Sequence, residues 1–321
     1  MNRPLRRYLD FLETRHTACD FLAMACHVPL RVYVMGDRAE KTATPEELAR
    51  MRALVAEAVD AGAVGLSTSR TLLHRDLEGT VVPGTYADRV ELTELMAGLA
   101  QGGGGLFEMV QDFADHEVEM DWITTLSAAF GVPVSFGFGP GSDKRMQEMF
   151  ELLEHANETA GANVTGQVAV KIQGVLQNIE SKFHPFVGHP TYVKEVAPLP
   201  VEERQAKLQD PEIRAQMLSE ESGFGDAPFA RSIFNPGSLY ILDEYPDYEQ
   251  HRDRLVNEMA KSLGISAHEL MYDALADGKT MVALGSGPKD GRAPLDRTRT
   301  MLTCECLPSP WISLRTFAQS R

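Results

Sequence analysis

The chain has 321 residues, 43% hydrophobic and 24% charged, with a net charge of −15. That is enough apolar material for a sizeable core in one large domain or two ordinary ones. Such an acidic balance argues against a broad nucleic-acid or anionic-membrane surface, because phosphate binding needs clustered Lys and Arg. Four cysteines (Cys19, Cys26, Cys304, Cys306) make no disulfide framework and contain no C-x-x-C. No apolar run suits a signal peptide or a membrane span. A reducing, cytoplasmic setting is the expectation.

A helix around Arg6 to Glu13 leads to the apolar run Phe21 to Ala25, read as a first strand. The next helix start is the clearest. Thr44-Pro45-Glu46-Glu47 forms a capping box with Pro at the first helical position. Leu48, Met51, Leu54, Val55, Ala58 and Val59 then recur with period 3.6 up to Gly62. Ala63 to Leu66 follows as a buried strand.

The unit repeats. A helix around Val90 to Ala100 precedes the strand Leu106 to Val110. A helix around Val118 to Phe130 precedes the strand Val132 to Phe138. A helix opening near Ser142 precedes the strand Val164 to Lys171. A second capping box, Ser266-Ala267-His268-Glu269, opens a helix leading to Met281 to Leu284. Apolar strands alternating with helices imply an α/β fold with a parallel sheet buried on both faces. With no dinucleotide fingerprint after the first strand, a (β/α) TIM-type barrel is the expectation. About six strands can be read this way where a complete barrel has eight, so the barrel is read as incomplete. Residues 173–247 leave the repeat and are read as an insertion or lid. Residues 285–321 turn basic, without a helical or strand period, and are read as an irregular tail after a partial barrel at 1–284.

Several motifs are familiar. Leu30-Arg31-Val32-Tyr33-Val34-Met35-Gly36 follows the first strand, and Ala61-Gly62-Ala63-Val64-Gly65-Leu66-Ser67-Thr68-Ser69-Arg70-Thr71 spans a helix end and a strand. His74 and Val82-Pro83-Gly84-Thr85 come next. Together they resemble the N-acyl-D-amino-acid deacylase (D-aminoacylase) group of the amidohydrolase superfamily, from about Arg6 to Leu284. The resemblance implies a barrel of the amidohydrolase kind, with its first and last strands missing or altered here. It also implies a hydrolase of carbon–nitrogen bonds other than peptide bonds, acting on a small N-acyl amino acid or similar amide, with zinc as cofactor. The family opens with His-x-His, which does not occur in this sequence, and its middle-strand histidines have no counterpart in Phe107-Glu108-Met109-Val110 or Val134-Ser135-Phe136-Gly137. No metal ligand is therefore carried over. The alternative is a catalytically inactive relative or fragment acting as a binding partner. Open sheet edges would also invite a homo-oligomer.

Barrel chemistry sits at the C-terminal ends of strands. That selects His27, Ser67, Ser69, Arg70, Glu108, Asp112, Gln167 and Lys171, with His74 on the following loop. Glu108, inside an apolar strand, would be desolvated and could act as acid or base, or could pair structurally with Arg70 or Lys171. Asp112 could share its site or cap the next helix. Arg70 offers a fork for a substrate carboxylate, with Ser67 and Ser69 as neighbouring donors; alternatively all three tie the following loop. His27, beside Cys26, reads as a hydrogen-bonded wall histidine or a site residue. Gly65-Leu66-Ser67-Thr68-Ser69 is not a G-x-S-x-G elbow. Gly137 to Ser142 reads as a tight turn, and His184 and His189 as loop residues.

Overall fold

The computed structural model describes residues 2–76, 80–85, 87–113, 115–139, 142–169, 174–223, 233–242, 244, 247, 250–284 and 294–304. The chain divides into two compact units, one of residues 1–138, 142–168 and 302–321, the other of residues 139–141 and 169–301.

The first unit is built on five parallel strands: β1 (Ala25–Cys26), β2 (Gly65–Arg70), β3 (Leu106–Gln111), β4 (Val134–Phe138) and β5 (Val164–Val168). They lie side by side in chain order. A doubly wound sheet reverses its strand order at a switch point. This sheet has no reversal. The flanking helices are α1 (Asn2–Glu13), α2 (His27–Met35), α3 (Pro45–Asp60), α4 (Arg89–Gln101), α5 (His116–Phe130) and α6 (Asp143–Glu154). The Thr44 capping box forms as its sequence requires: the Thr44 hydroxyl accepts from the Glu47 amide, and the Glu47 carboxylate accepts from the Thr44 amide at 2.7 Å.

Registry fixes what each face carries. Leu66 pairs with Phe107, Phe107 with Val134, and Val134 with Val164. All four are essentially inaccessible, as are Met109 and Phe136 on the same face. Thr68 and Arg70 share that face and bond to residues of α2 and α5, which identifies it as the helix-covered side. Glycine sets two close approaches. A Cβ on Gly65 would lie 2.0 Å from the Leu106 carbonyl oxygen, and one on Gly98 would lie 2.7 Å from the Arg52 carbonyl oxygen. So β2 can meet β3, and α4 can meet α3, only with no side chain there.

A buried charged cluster joins α2, β2 and α4. His27 Nε2 donates to Glu91 Oε1 at 2.6 Å, and Thr68 Oγ1 lies 2.8 Å from His27 Nδ1. The Arg31 guanidinium bonds to both Glu91 oxygens and to the Ala39 carbonyl at 3.1 Å. The His27, Arg31 and Glu91 side chains are all almost fully buried. Burial pushes the Glu91 carboxyl up, but hydrogen bonds and charge from His27 and Arg31 outweigh it and hold the group below its ordinary value.

The second unit holds an antiparallel sheet, with β8 (Met281–Leu284) between β6 (Gly174–Gln177) and β7 (Leu239–Ile241). Around it lie α7 (Val201–Leu208), α8 (Pro211–Ser219), α9 (Val256–Leu263) and α10 (Ala267–Ala276). Its core gathers Phe186, Tyr192, Met217, Leu239, Tyr272, Leu275 and Met281. Ser266 caps α10 with the second capping box.

Three readings of the sequence need correction here. Met281–Leu284 is the centre of an antiparallel sheet rather than a strand of the parallel one; a short apolar run reads the same in either setting. The first strand is confined to Ala25–Cys26, and Phe21 and Leu22 are more than half exposed. The irregular tail is interrupted by a helix, α11 (Pro294–Thr303), and Cys304 is disulfide-bonded, whereas Cys19 and Cys26 are free. His184 and His189 are loop residues, as read, and both are buried. His184 packs edge-on against Tyr192, and His189 and His268 stack near Phe186. Lys171 lies outside the described residues.

Removing one member of a buried charged cluster strands the others. Glu91→Gln should therefore destabilise the chain by about 3–5 kcal/mol in urea unfolding. Because the folded carboxyl is held low, its contribution is present above the unfolded value of about 4.3 and fades as pH falls through the lowered folded value.

In the second unit, His184 Nε2 and His189 Nδ1 are buried without a hydrogen-bond partner. Burial, with His189 and Arg204 nearby, lowers the His184 pKa to about 3. The unfolded chain then binds the proton first as pH falls below about 6.5, so stability should drop between there and about 3. His184→Phe should flatten that decline in a pH series of denaturant unfolding. An unchanged slope would exclude this histidine as its source.

Candidate functional site

The site candidate is the other face of the parallel sheet. On β3, Phe107 and Met109 turn toward the helices, so Glu108 turns the opposite way. Its registry neighbours are Ser67 on β2 and Ser135 on β4, and Ser135 in turn pairs with Thr165 on β5. Gln167, two residues beyond Thr165, therefore shares this face, as do Ser69 and Cys26. The face is polar where its reverse is apolar, and it is partly open: Val110 on it is 46% exposed.

Glu108 is the only carboxylate among those strand residues. Gln167 Nε2 donates to Glu108 Oε2 at 3.0 Å and to Ser135 Oγ at 2.7 Å. Burial pushes the Glu108 carboxyl up to about 7, against the pull of a hydrogen bond with Ser135. A carboxyl poised there can give a proton in its neutral form and take one in its ionised form near neutral pH.

At the end of β2, Ser69 Oγ is hydrogen-bonded to Nδ1 of the exposed His74. Ser67 Oγ lies 3.4 Å from the Ala25 carbonyl oxygen and 3.5 Å from Cys26 Sγ. Ser67, Ser69 and Glu108 are thus brought to one face, with His74 beside it.

Arg70, His27 and Asp112 are placed elsewhere. Arg70 turns to the helix side, donating to the Ala87 carbonyl at 2.8 Å and to Glu119 at 3.2 Å, with its guanidinium over the Trp122 ring. Glu119 also accepts from Gln111 and from the Trp122 indole. Of the two pairings read for Glu108 from the sequence, the one with Arg70 does not form, since Arg70 is on the reverse face, and Lys171 lies outside the described residues. His27 opens α2 rather than ending a strand, and its ring is held in the Glu91 cluster. Asp112 does not cap the next helix; Asp115 does. Asp112 instead accepts from the Thr71 hydroxyl at 2.6 Å and the Leu72 amide at 2.9 Å, clamping the loop after β2. Next to it, buried Phe113 adopts a φ of 49°, uncommon for an L side chain, while Arg145 donates to its carbonyl oxygen and its ring packs on Phe136.

Sequence reasoning did not find Ser135, Glu91, Arg31 or Glu119. Ser135 could have been reached by registry, as the residue opposite Glu108. The other three carry no signal beyond being charged residues on helices.

The zinc implied by the family resemblance does not fit these residues. Among the described residues, no three of His, Cys, Asp and Glu gather closely enough to hold a metal. Glu108 is surrounded by a carboxamide and a hydroxyl, which are poor zinc donors. The His27 ring has both nitrogens engaged on the opposite face. No step through a metal is derived.

A parallel sheet with its strands in chain order, helices on one face and a polar reverse face, defines an α/β fold. No protein-family model matches the chain. The chain is 30% identical to the D-aminoacylase of Alcaligenes xylosoxydans xylosoxydans over 154 residues, 46% of this chain and 30% of that protein. The crystal structure of N-acyl-D-glutamate deacylase from Bordetella bronchiseptica, complexed with zinc and a phosphonate inhibitor, matches 95% of this chain and 50% of its own, at 15% identity and a TM-score of 0.53. A crystal structure of D-aminoacylase matches 93% of this chain and 49% of its own, at 18% identity and a TM-score of 0.48. The chain is thus similar to D-aminoacylase over those 154 residues, and it spans about half the length of the solved relatives.

Because Arg70 is tied into the helix layer, Arg70→Ala should lower stability by about 1–3 kcal/mol in urea unfolding, through the stranded Glu119 and the lost Ala87 contact. A variant of wild-type stability would mean that this guanidinium is not a scaffold element.

Proposed function

We propose that the chain is a hydrolase of carbon–nitrogen bonds other than peptide bonds, acting on an N-acyl amino acid or a similar small amide. The observation that carries the reading is Glu108, a partly buried carboxyl with a pKa of about 7 on the polar sheet face. The naming of the relatives as D-aminoacylase and N-acyl-D-glutamate deacylase supports the substrate class.

In this reading Glu108 is the general base that takes a proton from the attacking water and then gives it to the departing nitrogen. The C–N bond breaks, the carbonyl carbon gains the water oxygen, and the proton passes to the amine. Ser67 and Ser69 offer hydroxyls to the amide, with His74 holding Ser69. His27, Arg70 and Asp112 serve the scaffold and the loop after β2. The parallel sheet is read as part of a (β/α) barrel, with the second unit as an accessory region, in a cytoplasmic protein.

The second reading is a catalytically inactive relative that binds a small amide or a partner on the same face. It is favoured by the missing metal-ligand cluster among the described residues. Turnover of a panel of N-acyl-amino acids by the full chain, with Glu108→Gln alongside, separates the two. The enzymatic reading predicts activity that falls by about 10²- to 10⁴-fold in the variant. Binding without turnover in the wild type would establish the second reading, and equal rates in both proteins would remove Glu108 from the chemistry.

A further inference from the structure

We propose that Gln167 is a positioning residue for Glu108, and that it determines which carboxyl oxygen carries the acidic proton. The proposal rests on the reading of Glu108 as acid and base. Its geometry stands on three strands. Gln167 is on β5, Ser135 on β4 and Glu108 on β3, all on the polar face. A carboxamide nitrogen has two hydrogens. Here one reaches Glu108 Oε2 at 3.0 Å and the other Ser135 Oγ at 2.7 Å. Ser135 accepts from Gln167 through one lone pair and keeps its own hydrogen, and its hydrogen bond with the Glu108 carboxyl favours the ionised form.

In a neutral carboxyl the carbonyl oxygen is the stronger acceptor, so with Oε2 accepting from Gln167 the proton of neutral Glu108 is carried by Oε1. Hydrogen bonds from two separate strands meet at the carboxyl, so the proton is offered in one direction. A general acid needs such a fixed direction, because transfer requires a donor–acceptor separation of about 2.6–3.2 Å in the reacting complex. Gln167 touches no reacting atom in this arrangement. It acts through Glu108 alone.

The experiment is a titration of Glu108 in the full chain, read from the carbon-13 shift of its side-chain carboxyl, with Glu108→Gln to assign the signal. In wild type the midpoint should be about 7. Gln167→Leu removes a donor that favours the ionised form, so the midpoint should rise by about one unit. Gln167→Lys replaces it with a charged donor, so the midpoint should fall below the wild-type value. Gln167→Leu keeps the volume and loses the donor, so a residue that merely packs would leave the midpoint unmoved in it, whereas the fall in Gln167→Lys tests only that position 167 faces the carboxyl. Should Gln167→Leu not fold, Gln167→Met takes its place, with a rise again expected. Unmoved midpoints in folded variants would overturn the proposal. Failure of the functional reading looks different: Glu108→Gln would keep its turnover while the titration shifts still appear.

Discussion

A β-strand sends alternate side chains to opposite faces, and a parallel ladder keeps partnered residues on the same face. In this chain the constraint runs unbroken across four strands. Leu66, Phe107, Val134 and Val164 are in one row, and Ser67, Glu108, Ser135 and Thr165 are in the next. The first row is buried beneath helices, and the second is the candidate site. A slip of one residue would put Glu108 under the helices and Phe107 in the site, so core and chemistry are specified by the same registry.

The charged cluster of His27, Glu91 and Arg31 anchors the helix-covered side. It explains why a histidine next to a cysteine at the end of β1 belongs to the scaffold, with the cysteine on the polar face and the histidine on the other. Arg70 follows the same rule: its parity matches Thr68, and its charge is met by Glu119. The sheet thus keeps its cations on the helix side and leaves Glu108 among hydroxyls and a carboxamide. Burial is the larger influence on its titration, ahead of the hydrogen bond with Ser135.

Much of this was legible in the order of residues. The capping boxes at Thr44 and Ser266 form as read, and the helix–strand alternation from Pro45 to Val168 matches the helices and parallel strands that form. Glu108 stood out because a carboxylate between Phe107 and Met109 has to be desolvated to some degree. What was hidden depends on facing and on distance in the chain. Arg70 could be placed at a strand end but not on a face until the helix contacts were known. Gln167 and Ser135 are 59 and 27 positions from Glu108, and only strand order brings them to it. The Met281–Leu284 run carries no mark of its sheet, because a short apolar strand is buried in parallel and antiparallel settings alike. The resemblance to D-aminoacylases was carried by the segment around β2, which has scaffold and candidate-site residues in alternation.

The central claim is that the polar face holds a carboxyl that is neutral on the acid side of pH 7. Infrared difference spectra between the wild-type chain and Glu108→Gln test it most directly. The account predicts a protonated-carboxyl stretch at pH 6, present only in the wild type and fading by pH 8. The absence of any such band at pH 6 would mean that Glu108 is ionised there and that this sheet face is not an acid/base site.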